Sequence, residues 1–392
     1  LRLCFVIQRY GLEVAGGAEL HCRSLAEALG EHHEVSVETT TALDYLTWEN
    51  HYPAGATTVS GVAVVRHPVS RPRDLRRFSL LSDVVFHEPH SPEEEVEWVR
   101  ENGPRSPELL RAIESRHGVD LFLFYCYRYA PSFFGIGRVA DRAVLVPTAE
   151  EDPAIRLPVF GPLFRSPRGI LYLTPEERAL VEGVSGNGGR PNAVIGTGIE
   201  VPDDGAGSDV FDRFSLPPRY LLYVGRIDRN KGVDRLVRYY LALHGERPDL
   251  PPLVLVGKRV LEIQDPRVRL LGFVSEAEKY ALLRGSTVLL MPSPYESLSI
   301  IALEAWASGR PVLANAECAV LRGQCERSGG GLYYSGYREF AETLGRLLDD
   351  PSLGDTLGRQ GARYVRVEYD PRSVALKTSA FLEALPRGQK RA

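Results

Sequence analysis

The stretch YLLYVGRIDRNKGVDRLV, residues 220–237, decides the fold. Five apolar or aromatic residues run without polar alternation, a turn with two separated cations follows, and an apolar spacing near 3.6 begins at Val233. An unbroken apolar run reads as a strand buried on both faces, and a strand passing through a short loop into a helix is the unit of a parallel sheet. Gly225 closes the strand, and Arg226 and Lys231 lie on the loop before the helix. Cations there, beside free backbone N–H groups, suit a phosphate or diphosphate. The chain has five lysines among its 47 Lys and Arg residues, so a lysine at this place is less readily surface filler than an arginine would be.

The same alternation recurs along the chain. Strands are expected at 3–7, 35–39, 62–66, 121–125, 143–146, 170–173 and 193–195, then at 220–224, 253–256, 268–271, 288–291 and 312–314. A helix over 18–29 is expected to close at Gly30. The stretch 196–218 is rich in Gly, Pro and Asp and has no sustained period. With 392 residues, too many for one core, the expectation is an α/β chain of two doubly wound, Rossmann-like parallel-sheet domains facing an interdomain cleft. Residues 1–198 would form the first domain, 199–218 a linker, 219–370 the second domain. Residues 371–392 would be a helix crossing back to the first domain, with a basic tail of Arg387, Lys390 and Arg391.

Composition narrows the class. The chain is 44% hydrophobic and 25% charged with a net charge of −4, which offers no basic field for nucleic acid. Cys4, Cys22, Cys126, Cys318 and Cys325 are scattered, so a reducing cytoplasm is expected rather than a disulfide framework or a zinc site. No apolar run approaches the roughly 20 residues of a membrane span, and the apolar start is too short for a signal peptide. Arg71, Arg73, Arg76 and Arg77 beside Phe78, Leu80 and Leu81 read either as a solvated face or as a peripheral contact with the inner membrane surface. His87 and His90 flank Glu88 and Pro89, but no third ligand accompanies them. No Asp-x-Asp occurs anywhere, so no metal is expected.

A second stretch, PYESLSIIALEAWASGRP at 294–311, carries Glu296 and Glu304. With a helix starting near Ser297, Glu304 would sit about 12 Å along the axis from Glu296. That separation suits the hydroxyls at the two ends of a nucleotide sugar. The N–H groups of Ser297, Leu298 and Ser299 would face the diphosphate between them. Glu304 lies among Ala302, Leu303, Ala305 and Trp306, where a carboxylate needs a partner, and a ligand is the expected one.

Taken together, Gly225-Arg226 with Lys231-Gly232, Gly272-Phe273-Val274, the Glu296 to Glu304 stretch and Gly309-Arg-Pro-Val resemble glycosyltransferase family 4, retaining enzymes of the GT-B fold. The loop from Gln8 through Gly16, Gly17 and Glu19 is similar to that family's glycine-rich loop. The resemblance implies a metal-independent hexosyltransferase without a cofactor, using a nucleotide-diphosphate sugar and a carbohydrate or lipid-linked acceptor. It implies that Arg226 and Lys231 hold the diphosphate, Glu296 the transferred sugar, Glu304 the ribose and the backbone of Gly272, Phe273 and Val274 the base. Gly16 and Gly17 would lie under a phosphate region, where a missing Cβ permits close approach. Glu150 stands where many members carry a histidine, and an ionised glutamate accepts but cannot donate. Tyr127, Arg128 and Tyr129, at a strand end, are assigned to the acceptor. A nicotinamide enzyme is disfavoured because no Gly-x-Gly-x-x-Gly follows either leading strand. An epimerase or hydrolase acting on nucleotide sugars, or a non-catalytic nucleotide-sugar binder, stays open.

Overall fold

The computed structural model describes the chain except for residues 15, 202–206 and 386–392, so the basic tail falls outside the described residues. The chain divides into two compact units. The first is Leu1–Gly198 with the chain from Pro371, and the second is Ile199–Asp370.

In the first unit the strands are β1 (Arg2–Val6), β2 (Glu34–Thr40), β3 (Gly55–Val59), β4 (Val62–His67), β5 (Leu121–Tyr125), β6 (Ala143–Val146), β7 (Gly169–Tyr172) and β8 (Asn192–Val194). They form one sheet in the order β3-β4-β2-β1-β5-β6-β7-β8. β3 pairs antiparallel with β4, and the other pairings are parallel. The order reverses between β1 and β5, which places the loops after those strands at the switch point. The helix Pro371–Ala384 belongs to this unit. Ser379 meets His33 at 2.7 Å, and Gly169 lies so close that a Cβ would touch Leu385 and Phe381.

The second unit holds β9 (Leu221–Val224), β10 (Leu253–Val256), β11 (Val268–Gly272), β12 (Val288–Met291), β13 (Val312–Asn315) and β14 (Gly331–Tyr334), all parallel, in the order β11-β10-β9-β12-β13-β14. Its switch point lies between β9 and β12. The four residues of β10 and of β12 are all buried, as unalternated apolar runs require when helices cover both faces. Burying each such side chain contributes about 1.5–3 kcal/mol.

Four expectations need correction. β3 was not expected: GATTV is exposed along nearly its whole length and has no apolar alternation. Its signal was the turn, Ser60-Gly61, where both residues take positive φ (46° and 79°) as a two-residue hairpin demands. β14 was hidden by the glycines before it. Gly30 does end the first helix, but at φ −61° and ψ −18°, so no left-handed cap is involved. The helix expected from Ser297 begins at Ile300, after Ser299 in a left-handed conformation at φ 65°.

Candidate donor site at the switch point of the second sheet

The loops after β9 and β12 converge because glycines remove what would hold them apart. Gly257, at the end of β10 with φ 126°, has the Gly225 carbonyl oxygen 2.2 Å from where a Cβ would be. Gly232 has φ 71° and faces the Pro292 carbonyl at 2.5 Å in the same sense. Gly232 is also the residue from which the helix Val233–Glu246 starts. Within the loop, Asp228 Oδ1 accepts the Lys231 backbone N–H at 2.8 Å, and the Arg226 guanidinium rests on the other oxygen of Asp228. Tyr223 Oη donates to the Arg226 carbonyl at 2.7 Å.

Across the switch point, Lys231 Nζ meets Glu296 Oε1 at 2.8 Å. The Lys231 side chain is 27% exposed and Glu296 13%. Two cation–carboxylate pairs, Arg226 with Asp228 and Lys231 with Glu296, thus sit between a strand end and a helix start. Both pairs are mostly buried, and a diphosphate, which carries more negative charge than either carboxylate, can compete with them for the same cations.

Ser297, Leu298 and Ser299 form the loop between Glu296 and the helix Ile300–Ala307, so their N–H groups are loop donors rather than a first helical turn. Leu298 is buried, and its carbonyl accepts from Gln324 Nε2 at 2.5 Å. The Ser299 hydroxyl is buried without a hydrogen-bond partner. Gly272 takes φ 72°, its carbonyl accepts the Gly257 N–H at 2.8 Å, and Phe273 beyond it is 70% exposed. Val274 follows, before the helix Glu276–Gly285 capped by Ser275.

Glu304 corrects an argument. It is buried at 4% exposure, but the partner that makes this tolerable is inside the protein: Lys279 Nζ bonds its Oε1 at 2.8 Å. Burial pushes the carboxyl up, and the ammonium opposes that while being held up itself by the same carboxylate. Burial of Glu304 is therefore no evidence for a ligand. One of its oxygens, Oε1, is thus already engaged within the protein.

In the first unit, Glu19 accepts from Gln8 Nε2 (3.0 Å), Arg9 Nε (3.0 Å) and Arg9 Nη2 (2.6 Å). Gly16 is extended, and a Cβ there would lie 2.2 Å from Glu19 Oε2, so the missing side chain makes room for this buried pair. Gly17 opens the helix Gly17–Leu29. Tyr127 is fully buried with its ring edge-on to Phe160 at 4.7 Å, which removes it from any acceptor surface. Arg128 pairs with Asp152 at 2.7 Å and lies 3.8 Å from Glu150. Tyr129 packs edge-on against Trp48 at 5.4 Å.

Three of the four arginines between 71 and 77 are occupied within the first unit. Arg71 and Arg77 pair with Glu101, whose side chain is 1% exposed, and Arg73 donates to the carbonyl and side chain of Asn102. His90 bridges the Glu88 carbonyl (2.8 Å) and Glu95 (3.1 Å). Among the described residues no group of three or more His, Cys, Asp or Glu is arranged to hold a metal ion, and no helix is long and apolar enough to cross a membrane.

The sequence reading missed Asp228, Lys279 and Gln324. Lys279 could have been found by the scarcity of lysine that singled out Lys231, and Asp228 by its place between two cations. Gln324 carries no such signal.

Residues 218–350 match the family model described as Glycosyl transferases group 1. Alpha-D-kanosaminyltransferase of Streptomyces kanamyceticus is 30% identical over 179 residues, covering 41% of this chain and 45% of the relative. The match thus spans less than half the length of that curated relative. Among solved structures, sucrose-phosphate synthase from Thermosynechococcus elongatus superposes with a TM-score of 0.71 at 18% identity, over 98% of each chain. Anabaena HepE in complex with UDP-glucose superposes at 0.69 and 13% identity, over 98% of this chain and all of HepE. These likenesses show the fold, which is GT-B.

Proposed function

We propose, from a second domain matched by the glycosyl transferases group 1 model, that this chain moves a hexose from a nucleotide-diphosphate sugar to a carbohydrate or lipid-linked acceptor with retention of configuration. The observation that carries the reading is the 2.8 Å Lys231–Glu296 pair, which joins the loops after β9 and β12 at the switch point of the sheet. It brings a cation fit for a diphosphate beside a carboxylate fit for sugar hydroxyls. HepE, solved with UDP-glucose on the same fold, supports a donor of this class.

Each residue then has a chemical task. Lys231 and Arg226 turn from their carboxylates to the diphosphate and stabilise the charge that develops as its bond to the anomeric carbon breaks. Lys231's departure leaves Glu296 free to accept from the hexose hydroxyls and hold the ring. The acceptor oxygen bonds the anomeric carbon on the face the diphosphate leaves, and its proton passes to a departing phosphate oxygen. No strong enzymic base is needed, and no metal.

On the first unit, Glu150 accepts a hydroxyl while Arg128, 3.8 Å away, supplies the N–H donors an ionised glutamate lacks. Arg128 and Tyr129 remain on the acceptor side. Five buried, unpaired cysteines support a reducing compartment such as the cytoplasm.

The test is turnover of UDP- and GDP-hexoses with a panel of sugar and polyprenyl-phosphate acceptors, with and without EDTA. Nucleoside diphosphate release that depends on acceptor, survives chelation and gives a product anomer matching the donor by NMR is expected. Release independent of acceptor would favour a hydrolase, an epimerised donor an epimerase, and binding without turnover a sensor.

A further inference from the structure

Loops that follow four strands of the first sheet meet on one indole. Trp48, after β2, is buried and donates its Nε1–H to the Asn102 carbonyl at 2.7 Å. Tyr129, after β5, packs edge-on against it, and the guanidinium of Arg9, after β1, lies 6.0 Å from its centroid. Arg73, after β4, stands 5.1 Å from the Trp48 ring and 4.7 Å from that of Phe78. The meeting point belongs to the switch point between β1 and β5, where a doubly wound sheet takes its ligands. Trp48 is held there at φ 59°, a left-handed conformation that a bulky residue adopts only when its surroundings impose it.

Arg73 is fixed in direction but its charge is not answered. Its Nε donates to the Asn102 carbonyl at 3.0 Å, and Nη2 donates to the same carbonyl and to Asn102 Oδ1 at 2.8 Å. Its backbone N–H donates to the Thr47 carbonyl at 2.6 Å. These bonds and two aromatic rings hold the guanidinium in one place. Nη1, with two N–H groups, has no hydrogen-bond partner among the described residues, and no carboxylate among them forms an ion pair with Arg73. Its neighbours differ. Glu19 answers Arg9 at 2.6 Å, and Glu101 answers Arg71 and Arg77. Asp44, near Arg73, has Oδ2 accepting the N–H groups of Leu46 (2.8 Å) and Thr47 (2.9 Å). Burial pulls the Arg73 guanidinium down to about 10, a cost that a bound anion would relieve.

We propose that Arg73 is the anion-binding residue of an acceptor subsite at the switch point of the first sheet, and that the acceptor carries a phosphate group bound at Nη1. The inference rests on the nucleotide-sugar reading and names the class of acceptor which that reading leaves open. With Nε and Nη2 spent on Asn102, the guanidinium no longer offers two parallel N–H groups to a planar carboxylate. A phosphate monoester brings a charge of about −1.5 to −2 and three acceptor oxygens, of which one suffices to meet Nη1. A free sugar phosphate and a sugar joined to a lipid through phosphate share this chemistry. Loss of a hydrogen bond to a charged group corresponds to about tenfold to a hundredfold in affinity.

The experiment is turnover by the whole chain of UDP- and GDP-hexoses with neutral hexoses, hexose phosphates and polyprenyl-phosphate-linked sugars as acceptors. The wild type should use a phosphate-bearing acceptor with kcat/KM about tenfold or more above its neutral counterpart, and inorganic phosphate should compete with that acceptor at saturating donor. Whether the free ester or the lipid-linked form is preferred identifies the source of the phosphate. Arg73→Gln, which can still donate to Asn102, should raise KM for the phosphate-bearing acceptor about tenfold or more while leaving kcat, the donor KM and the neutral acceptor nearly unchanged. Arg73→Lys keeps the charge and should restore part of the loss. An arginine that merely packed the loop would affect both acceptors alike. Equal use of neutral and phosphate-bearing acceptors, no competition by inorganic phosphate, or an undiminished preference in Arg73→Gln would overturn the proposal, and the first two decide on the wild type alone should that variant fail to fold. If no donor turns over, the nucleotide-sugar reading falls and the anion site is judged separately, by calorimetry of hexose phosphates with Lys231→Ala. Binding there that is abolished on adding Arg73→Gln supports the site, and an absence of binding overturns it.

Discussion

The Lys231–Glu296 pair makes opposite demands on the two ends of a donor, and substitution separates them. Lys231→Ala removes a charge from the diphosphate site but nothing from the base or ribose. UDP or GDP affinity should fall about tenfold to a hundredfold while uridine or guanosine affinity is unchanged, as calorimetry would read. Glu296→Gln leaves Lys231 without its charged partner, so nucleoside diphosphate affinity should hold or tighten slightly. The turnover rate should drop and the preference among hexose epimers narrow, because an amide keeps the size of the carboxylate but only part of its acceptor capacity. Weaker UDP binding in Glu296→Gln would mean that the carboxylate serves the nucleotide end after all. Both residues were legible in the sequence, as cation and carboxylate on loops after strands. Their contact was not: they are 65 positions apart, and only the parallel pairing of β9 with β12 brings them together.

At the scale of elements, strands end and loops meet where glycine permits it. Gly257 combines a positive φ with backbone-to-backbone approach, and neither can be relieved by turning a side chain. Gly257→Ala should cost about 2–4 kcal/mol of stability and misplace the loop that carries Arg226 and Lys231. Gly354, inside the helix Pro351–Glu368, is the contrasting case. A Cβ there meets only Pro311 at an ordinary 3.8 Å, so Gly354→Ala should stabilise by about 0.5–1 kcal/mol. Urea unfolding of the two variants beside the wild type checks both signs. The elements themselves were read well where apolar runs were continuous, as in β10, β12 and β5. They were missed where the strand had no apolar pattern, as in β3, because an exposed edge needs only backbone pairing and imposes no side-chain period. The start of the helix at Ile300 was misplaced for a related reason: Ser297 is a good cap by type, and nothing local announces the left-handed Ser299.

Over the whole molecule, the second unit is closed on itself. The Ile199 N–H donates to the Tyr369 carbonyl at 2.9 Å, joining the points where the chain enters and leaves. Its core runs from Leu221 through Leu255 and Leu290 to Leu344. A fragment of residues 199–370 should therefore fold alone, unfold in one transition and bind UDP or GDP within about threefold of the full chain, since adjacent termini mark a separable domain. A fragment that is unfolded by circular dichroism would refute this. The first unit holds a pH-dependent term. Glu177 is fully buried, and burial pushes its carboxyl up to about 8 from an ordinary 4.5, although its two oxygens accept the N–H groups of Ala149 (2.6 Å) and Leu173 (2.5 Å). Between pH 4.5 and 8 the folded protein binds a proton there that the unfolded chain does not, so stability from this group falls as pH rises through that window and is level above it. Glu177→Gln should flatten that slope in unfolding titrations, whatever constant cost it adds. An unchanged slope would show that the carboxylate is ionised in the fold.

By itself the sequence determined the alternation of strand and helix, the two-sheet architecture and the residue types gathered at the ends of the second sheet's strands. These follow from short-range rules: apolar period, glycine and proline as breakers, cations beside a helix start. Tertiary structure alone decided how the charges are paired. Glu304 reads as an unpartnered acid only until the helix Glu276–Gly285 lays Lys279 against it, and Tyr127 reads as a cleft aromatic only until Phe160 and Phe164 close over it. Whether a buried polar group awaits a ligand or already has its partner depends on which distant element packs beside it. A side chain's neighbours across the core, unlike its neighbours along a strand or helix, leave no period in the sequence.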